Sequence, residues 1–193
     1  MISPQNFSAG GPCSGHCSEE QGPVGHASKE HHPQGCFRVL HISDSTLARF
    51  GEWATAQSPA EGVALLLGYL GQADPWRPFV VVEAIAVRNT HSSPNVAFRV
   101  DPLDQLKVRN EAQRLGLEVI GVWHSHPRLV ETGVGAHPSR RDLREAWENW
   151  VYLISGATMA QGGRARNHDS WNHKAWIKSD GRFEPVEIRT AKP

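Results

Sequence analysis

The chain has 193 residues, enough for one domain with a sizeable core plus a tail. Twenty Lys and Arg balance twenty Asp and Glu, so no net field advertises nucleic acid or an acidic membrane surface as a partner. No apolar run approaches the ~18 residues of a membrane span, and M-I-S-P-Q-N-F at the start lacks a basic region followed by an apolar one, so the sequence predicts a cytoplasmic chain.

Residues 1–35 are rich in Gly, Pro, Ser and His and have almost no apolar periodicity. Such a stretch buries too little surface to offset its ordering entropy, which predicts a disordered tail ahead of a domain spanning 36–190. Cys13, His16, Cys17, His31, His32 and Cys36 offer ligating atoms there. C-x-x-H-C followed by a long gap matches no zinc-finger spacing, and three clustered cysteines do not make a disulfide framework.

Phe37 to Ile42 alternates and reads as a first strand. Ser43 or Asp44 caps a helix over 45–57, where Leu47, Phe50 and Trp53 recur at three-residue spacing. Ser58-Pro59 breaks the chain ahead of Glu61, and Val63 to Leu70 is an apolar run that predicts a buried central strand. Asp74-Pro75 opens a turn, and Phe79 to Val87 forms the next strand, with Glu83 facing solvent. A polar loop over 90–95 precedes a short strand at Ala97–Val100. Asp101 and Pro102 suit the N-cap and first positions of a helix reaching Leu115, with Leu103, Leu106 and Ala112 inward and Gly116 as its stop.

The apolar run from Leu117 to Trp123 then leads into His124-Ser125-His126-Pro127. Residues two apart in a strand share one face, and Pro127 cannot continue a ladder, so both imidazoles stand together at a strand end. Asp142 follows Ser139 by three, in the first turn of a predicted helix, free to point back at the histidines. By itself an H-x-H pair among eleven histidines is more often incidental, and Ser139 with Asp142 reads equally as a capping box. Together, two His, one Asp and a water would make a catalytic zinc site with one open position.

Beyond Asp142 a helix is predicted over 140–149 with Leu143, Ala146 and Trp147 inward, then a strand over Trp150–Ile154 beside the histidine strand. Residues 157–173 are Gly-, Asn- and His-rich and read as mobile, with His168 and His173 solvated. Lys174–Lys178 and Phe183–Ile188 form a hairpin across Asp180-Gly181, and the last five residues read as a loose end. Strands alternating with two or three helices predict an α/β, or α+β layered, domain around a mixed central sheet.

The upstream P-A-E-G-V-A-L-L-L-G at 59–68, G-V-W-H-S-H-P at 121–127 and P-S-R-R-D at 138–142 occur in the order seen in the JAMM (MPN-plus) metalloproteases, which the chain resembles over residues 37–190. The resemblance implies the MPN fold, which is cytidine-deaminase-like, and one Zn2+ per chain held by His124, His126 and Asp142. It further implies Glu61 as general acid/base on the metal-activated water and Ser139 as stabiliser of the oxyanion. The interval from His126 to Ser139 is several residues longer than in small members of that family, the excess falling in R-L-V-E-T-G-V-G-A-H.

The chemistry agrees, since zinc brings the pKa of its water toward ~7 and a carboxylate that is not a ligand must accept that proton and return it to the leaving amine. As a standalone catalytic domain the chain resembles prokaryotic members. Its implied function is an isopeptidase, deubiquitinase-like, that cleaves after the C-terminal glycine of a ubiquitin-like protein. Releasing an amino acid such as cysteine from a sulfur-carrier protein is the alternative within the same chemistry. A metal-free MPN scaffold that only binds partners is the alternative outside it, and predicts broken ligand positions. A DNA-repair relative would carry a helix-hairpin-helix module, which the sequence lacks.

Overall fold

The computed structural model describes residues 38–69, 78–127, 135–158 and 171–191. The tail expected over 1–35, the Asp74-Pro75 turn, residues 128–134 of the long loop, and His168 lie outside them. The described elements run in the order β1 (Arg38–Ser43), α1 (Asp44–Gln57), β2 (Val63–Tyr69), β3 (Phe79–Val87), α2 (Pro102–Arg114), β4 (Glu118–His126), α3 (Arg140–Glu145), β5 (Val151–Ala157), β6 (Trp171–Ser179) and β7 (Arg182–Ala191).

The sheet is mixed, as the alternation of strands and helices predicts. β1 runs parallel to β3 and β7, and β4 parallel to β5, while the other neighbouring pairs are antiparallel. It is not open, however. The order β1-β3-β2-β4-β5-β6-β7 closes into a barrel because β7 returns to pair with β1. Closure needs the final residues, since Arg189, Thr190 and Ala191 pair with His41, Ile42 and Ser43 and so are strand rather than the expected loose end. Pairing β1 in this way satisfies backbone groups that a free edge would expose.

β2 sits between β3 and β4 and is buried on both faces, which is why its sequence is a continuous apolar run rather than an alternation. Ala64 and Leu66 join an inner core with Leu40, Phe50, Trp123, Leu153 and Ile177. Val63, Leu65 and Leu67 join an outer core with Val108, Ala112 and Val122 beneath α2. Between β2 and β4 the register slips at Leu66/Leu67, so Leu66 pairs with Gly121 and Leu67 with Val119. That irregularity lets Ile120 and Trp123, of opposite parity, both face the inner core, and it puts Val122, His124 and His126 on the α2 side.

Ser43 caps α1 by accepting from the Thr46 N–H, and α1 covers the inner core through Phe50, whose ring stacks on Trp123 at 4.8 Å. α2 starts at the expected Asp101 cap, and its end is a Schellman turn. Gly116 has φ +68, its N–H bonds Gln113 O, and the Leu117 N–H bonds Ala112 O. Its buried face differs from expectation. Ala112 points inward as expected and Val108 joins it, whereas Leu103 and Leu106 are 67% and 51% exposed. They lie well over 90° around the helix from the Val108–Ala112 stripe, and a helix with so few apolar residues leaves the choice of face to the sheet beneath it.

Two further elements are shorter than expected. Ala97–Val100 forms only an isolated bridge, Asn89 to Val100. α3 ends at Glu145 because Ala146 turns extended at ψ 142, leaving Leu143 and Trp147 partly exposed and only Ala146 buried. The exit is pinned by Lys178 Nζ donating to Ala146 O, Trp147 N–H donating to the Tyr152 hydroxyl, and Asn149 at φ 62 donating to Lys178 O. The Asp180-Gly181 hairpin forms as predicted, with φ 50 and 72. Among the described residues no helix is long and apolar enough to cross a membrane.

Candidate active site

The β4 pairings place His124 opposite Val63 and Ile154, and His126 opposite Gly156. The two rings share the outer face, and their Nε2 atoms are 3.1 Å apart. Each ring is held differently. His126 Nδ1 is 3.0 Å from the Gly135 carbonyl. A carbonyl only accepts, so Nδ1 carries the proton and Nε2 presents a lone pair inward, the arrangement a metal-ligating imidazole requires. His124 is fully buried and packs against Phe98 at 4.7 Å, and its Nδ1 has no partner among the described residues.

Asp142 occupies the third position of α3, inside a complete capping box. Asp142 N–H donates to Ser139 Oγ at 3.1 Å, and Ser139 N–H donates to Asp142 Oδ2 at 2.6 Å. The box and the approach to the histidines are one arrangement, not alternatives, because the box orients a carboxylate whose oxygens lie 3.6 Å from each Nε2. Burial acts to raise the Asp142 pKa, but the two histidines and the Ser139 N–H outweigh it and hold the carboxyl well below the usual range. Burial pushes the His124 pKa down, with Asp142 opposing. For His126 burial also acts downward, but Asp142, Glu61 and the Gly135 carbonyl raise it overall.

Glu61 lies just ahead of β2 and is only 6% exposed. Burial pushes its carboxyl from 4.5 up to about 7; His126 opposes the rise, Asp142 adds to it and Arg141 opposes it. Glu61 is thus within electrostatic reach of His126 and Asp142, and a carboxyl near neutrality exchanges protons readily.

The donor set fits a tetrahedral metal. Bonds of ~2.0–2.1 Å to a tetrahedral ion space the ligand atoms ~3.4 Å apart. The two Nε2 atoms are 3.1 Å apart, each has a different Asp142 oxygen at 3.6 Å (Oδ1 for His124, Oδ2 for His126), and the three residues form the one group of this kind among the described residues. Two neutral imidazoles and one carboxylate are also the donor chemistry of catalytic zinc. Beside Asp142 opens a cavity of about 230 Å³ walled by Phe98, Val100, Trp147, Trp150 and Tyr152, with Arg99 and Arg141 contributing charge.

A family profile described as prokaryotic homologs of the JAB domain matches residues 43–174, which include Glu61, both histidines, Ser139 and Asp142. This chain belongs to that family. A Thermus thermophilus protein named "Probable TtuB-protein conjugate cleaving protease" is 32% identical over 118 residues, 61% of this chain and 70% of the relative. A protein named desampylase from Haloferax volcanii is 31% identical over 112 residues, 58% of this chain and 73% of the relative. Another desampylase, from Pyrococcus furiosus, is 32% identical over 102 residues, 52% of this chain and 59% of the relative. A solution structure from Desulfitobacterium hafniense aligns with a TM-score of 0.62 at 22% identity, covering 80% of this chain and 94% of its own. One from Salinibacter ruber aligns with a TM-score of 0.53 at 23% identity, covering 79% and 91%. These two likenesses concern fold alone.

Glu83, expected to face solvent, is half-exposed and ion-paired to Arg49 at 2.9 Å. His173, expected to be solvated, is half-buried. It lies in β6, accepts from or donates to the buried Ser155 hydroxyl at 2.7 Å, and burial lowers its pKa to about 4. Trp123 Nε1–H also donates to Ser155 Oγ, at 2.6 Å. Three supports had no sequence signal: the Gly135 carbonyl, the Ser125 hydroxyl behind the histidine strand, and the Asn89 side chain. Each acts through backbone groups, whose positions only the fold reveals.

Proposed function

We propose that this chain is a zinc-dependent isopeptidase that cleaves after the C-terminal glycine of a ubiquitin-like protein, with residues 36–190 as its catalytic domain. The observation that carries the reading is the convergence of His124, His126 and Asp142, with the buried Glu61 carboxyl beside them. The names of the relatives support it, since one is named a probable TtuB-protein conjugate cleaving protease and two are named desampylases. The partners are therefore ubiquitin-like proteins or their conjugates, of the kind those names describe. The scaffold alternative is disfavoured because every position it requires broken is filled by a competent donor.

His124, His126 and Asp142 would hold the zinc. When bound it polarises the scissile carbonyl and lowers the pKa of a water toward ~7. Gly135 O keeps the His126 proton on Nδ1, so Nε2 stays available as a ligand. Glu61 takes the proton from the attacking water and delivers it to the leaving lysine nitrogen. In the metal-free chain burial raises this carboxyl to about 7, where it can both take and give a proton at neutral pH. Ser139 Oγ accepts from Asp142 N–H, which leaves its own proton free to donate to the developing oxyanion. The cavity walled by Phe98, Trp147 and Tyr152 gives an apolar side chain near the scissile bond somewhere to be buried.

The test is mass-spectrometric product analysis of a ubiquitin-like protein carrying a short peptide after its terminal glycine. The proposal expects a single cut after that glycine, abolished by chelator and restored by zinc. Cleavage that persists in chelator, or a cut elsewhere, would overturn it.

A further inference from the structure

Glu61 lies in irregular chain, outside any sheet ladder, so its position must come from other bonds. Those bonds divide cleanly. Gly62 is tied to the histidine strand, with its N–H donating to Ser125 Oγ at 2.8 Å and its carbonyl accepting from Ser125 N–H at 3.0 Å. Glu61 itself is tied to the segment after β3. Its N–H donates to Pro94 O at 2.7 Å, and its carbonyl accepts from Asn89 Nδ2 at 3.1 Å.

Asn89 is the hub of that second tie. Its Nδ2 also donates to Ala97 O at 3.0 Å and lies 3.4 Å from Pro94 O. Its Oδ1 accepts from His91 N–H at 3.0 Å and from Arg99 N–H at 3.1 Å. One half-buried amide thus closes the 90–99 loop from both ends and fastens it to the carboxylate's own residue. No other side chain type supplies two donors and an acceptor in this flat geometry except glutamine, which is one methylene too long.

We propose that Asn89 is the positioning residue for Glu61: it fixes the backbone from which the general acid/base reaches the site, and takes no part in proton transfer. The inference rests on the functional reading above, and it predicts where catalysis is lost. A ~1 Å misplacement of a catalytic group costs ~10²-fold in rate. Asn89→Ala should therefore lower kcat ~10–10²-fold, with KM and zinc stoichiometry near those of the unmodified protein. Asn89→Asp, which keeps the shape and the acceptor but turns lone pairs toward three carbonyls, should do at least as much.

Two measurements on the full chain decide it. Amide hydrogen exchange should accelerate at least ~10-fold at Glu61 in both variants, and at His91 and Arg99 in Asn89→Ala, which alone removes their Oδ1 acceptor, while β5 is unchanged, because local opening tracks the bonds removed. Cleavage kinetics should then show the loss in kcat. Thr90→Val serves as the control. It deletes the Thr90 hydroxyl bond to Arg99 O at 3.0 Å, in the same loop but not among the bonds that tie Glu61, and should leave kcat unchanged. Unchanged exchange at Glu61 overturns the proposal, as does faster exchange with undiminished kcat, or an equal loss in Thr90→Val. If the unmodified chain cleaves nothing, the functional reading fails instead, and the exchange data still decide whether Asn89 holds Glu61.

Discussion

Gly156 is the residue opposite His126 in β5, and its missing side chain makes room for the segment that orients His126. A Cβ at Gly156 would overlap the Gly135 carbonyl carbon and the Ala136 nitrogen, which are backbone atoms and cannot swing aside. The same segment is held from β6 by Trp176 Nε1–H donating to Ala136 O at 3.1 Å and by the Lys174–His137 contact at 2.8 Å. Gly156→Ala must therefore lift Gly135 off the sheet and stretch its bond to His126 Nδ1. Overpacking of this kind costs ~1–3 kcal/mol, and the lost hydrogen bond ~1 kcal/mol more. At ~2–4 °C per kcal/mol the melting temperature should fall by ~4–16 °C. Freeing a ligand's second nitrogen typically lowers metal affinity ~10–100-fold. Zinc affinity would be measured by competition with a chromophoric chelator, alongside thermal melts. Gly181→Ala is the control: at φ +72 with open space around it, the substitution should cost ~1 kcal/mol with zinc affinity unchanged. If Gly156→Ala lowers the melting temperature but binds zinc as tightly as the unmodified protein, the Gly135 carbonyl does not orient His126.

If Ser139 donates to the oxyanion as proposed, Ser139→Ala should cost ~10²–10³-fold in kcat, and the lost cap ~1 kcal/mol of stability. Ser139→Thr, which keeps the hydroxyl, should recover most of both, and kinetics with urea melts would separate the two losses. His173 makes stability pH-dependent. Its folded pKa of about 4 lies below the unfolded value of ~6.5, so the unfolded chain takes up the proton first as pH falls. The neutral ring's contribution is complete above pH ~6.5 and is lost progressively down to ~4. It amounts to ~3 kcal/mol at most, and ~1–2 after allowing for partial solvation. Urea melts at pH 7.5 and 4.5 should show a smaller difference for His173→Gln than for the unmodified protein; an equal difference would remove His173 from the account.

The five candidate positions stand in sequence patterns, the roles of Glu61 and Ser139 coming with the family resemblance, and the structure brings His124, His126 and Asp142 together. H-x-H before a proline, S-x-x-D opening a helix and a glutamate ahead of a continuously apolar strand all state face and position within a few residues. What sequence could not state was anything set by packing at a distance. Barrel closure depends on β7 meeting β1 nearly the whole domain away, so residues 189–191 look like an end until β1 is placed beside them. Leu103 and Leu106 obey helical spacing as well as Val108 and Ala112 do, and only the sheet beneath α2 selects the second pair. His173 reads as one more polar residue in a polar stretch until its register opposite Ser155 puts it inside the barrel. Asn89 and Gly135 act through backbone carbonyls that no side-chain pattern marks.

The central claim is that one metal, held by His124, His126 and Asp142, and one proton carrier, Glu61, together perform the cleavage. The most direct test measures zinc content and peptide release on the same samples of the unmodified chain, His124→Ala and Glu61→Gln. The account predicts one zinc per chain and cleavage in the first, neither in the second, and zinc without cleavage in the third. Stoichiometric zinc in His124→Ala, or undiminished cleavage by Glu61→Gln, would contradict it.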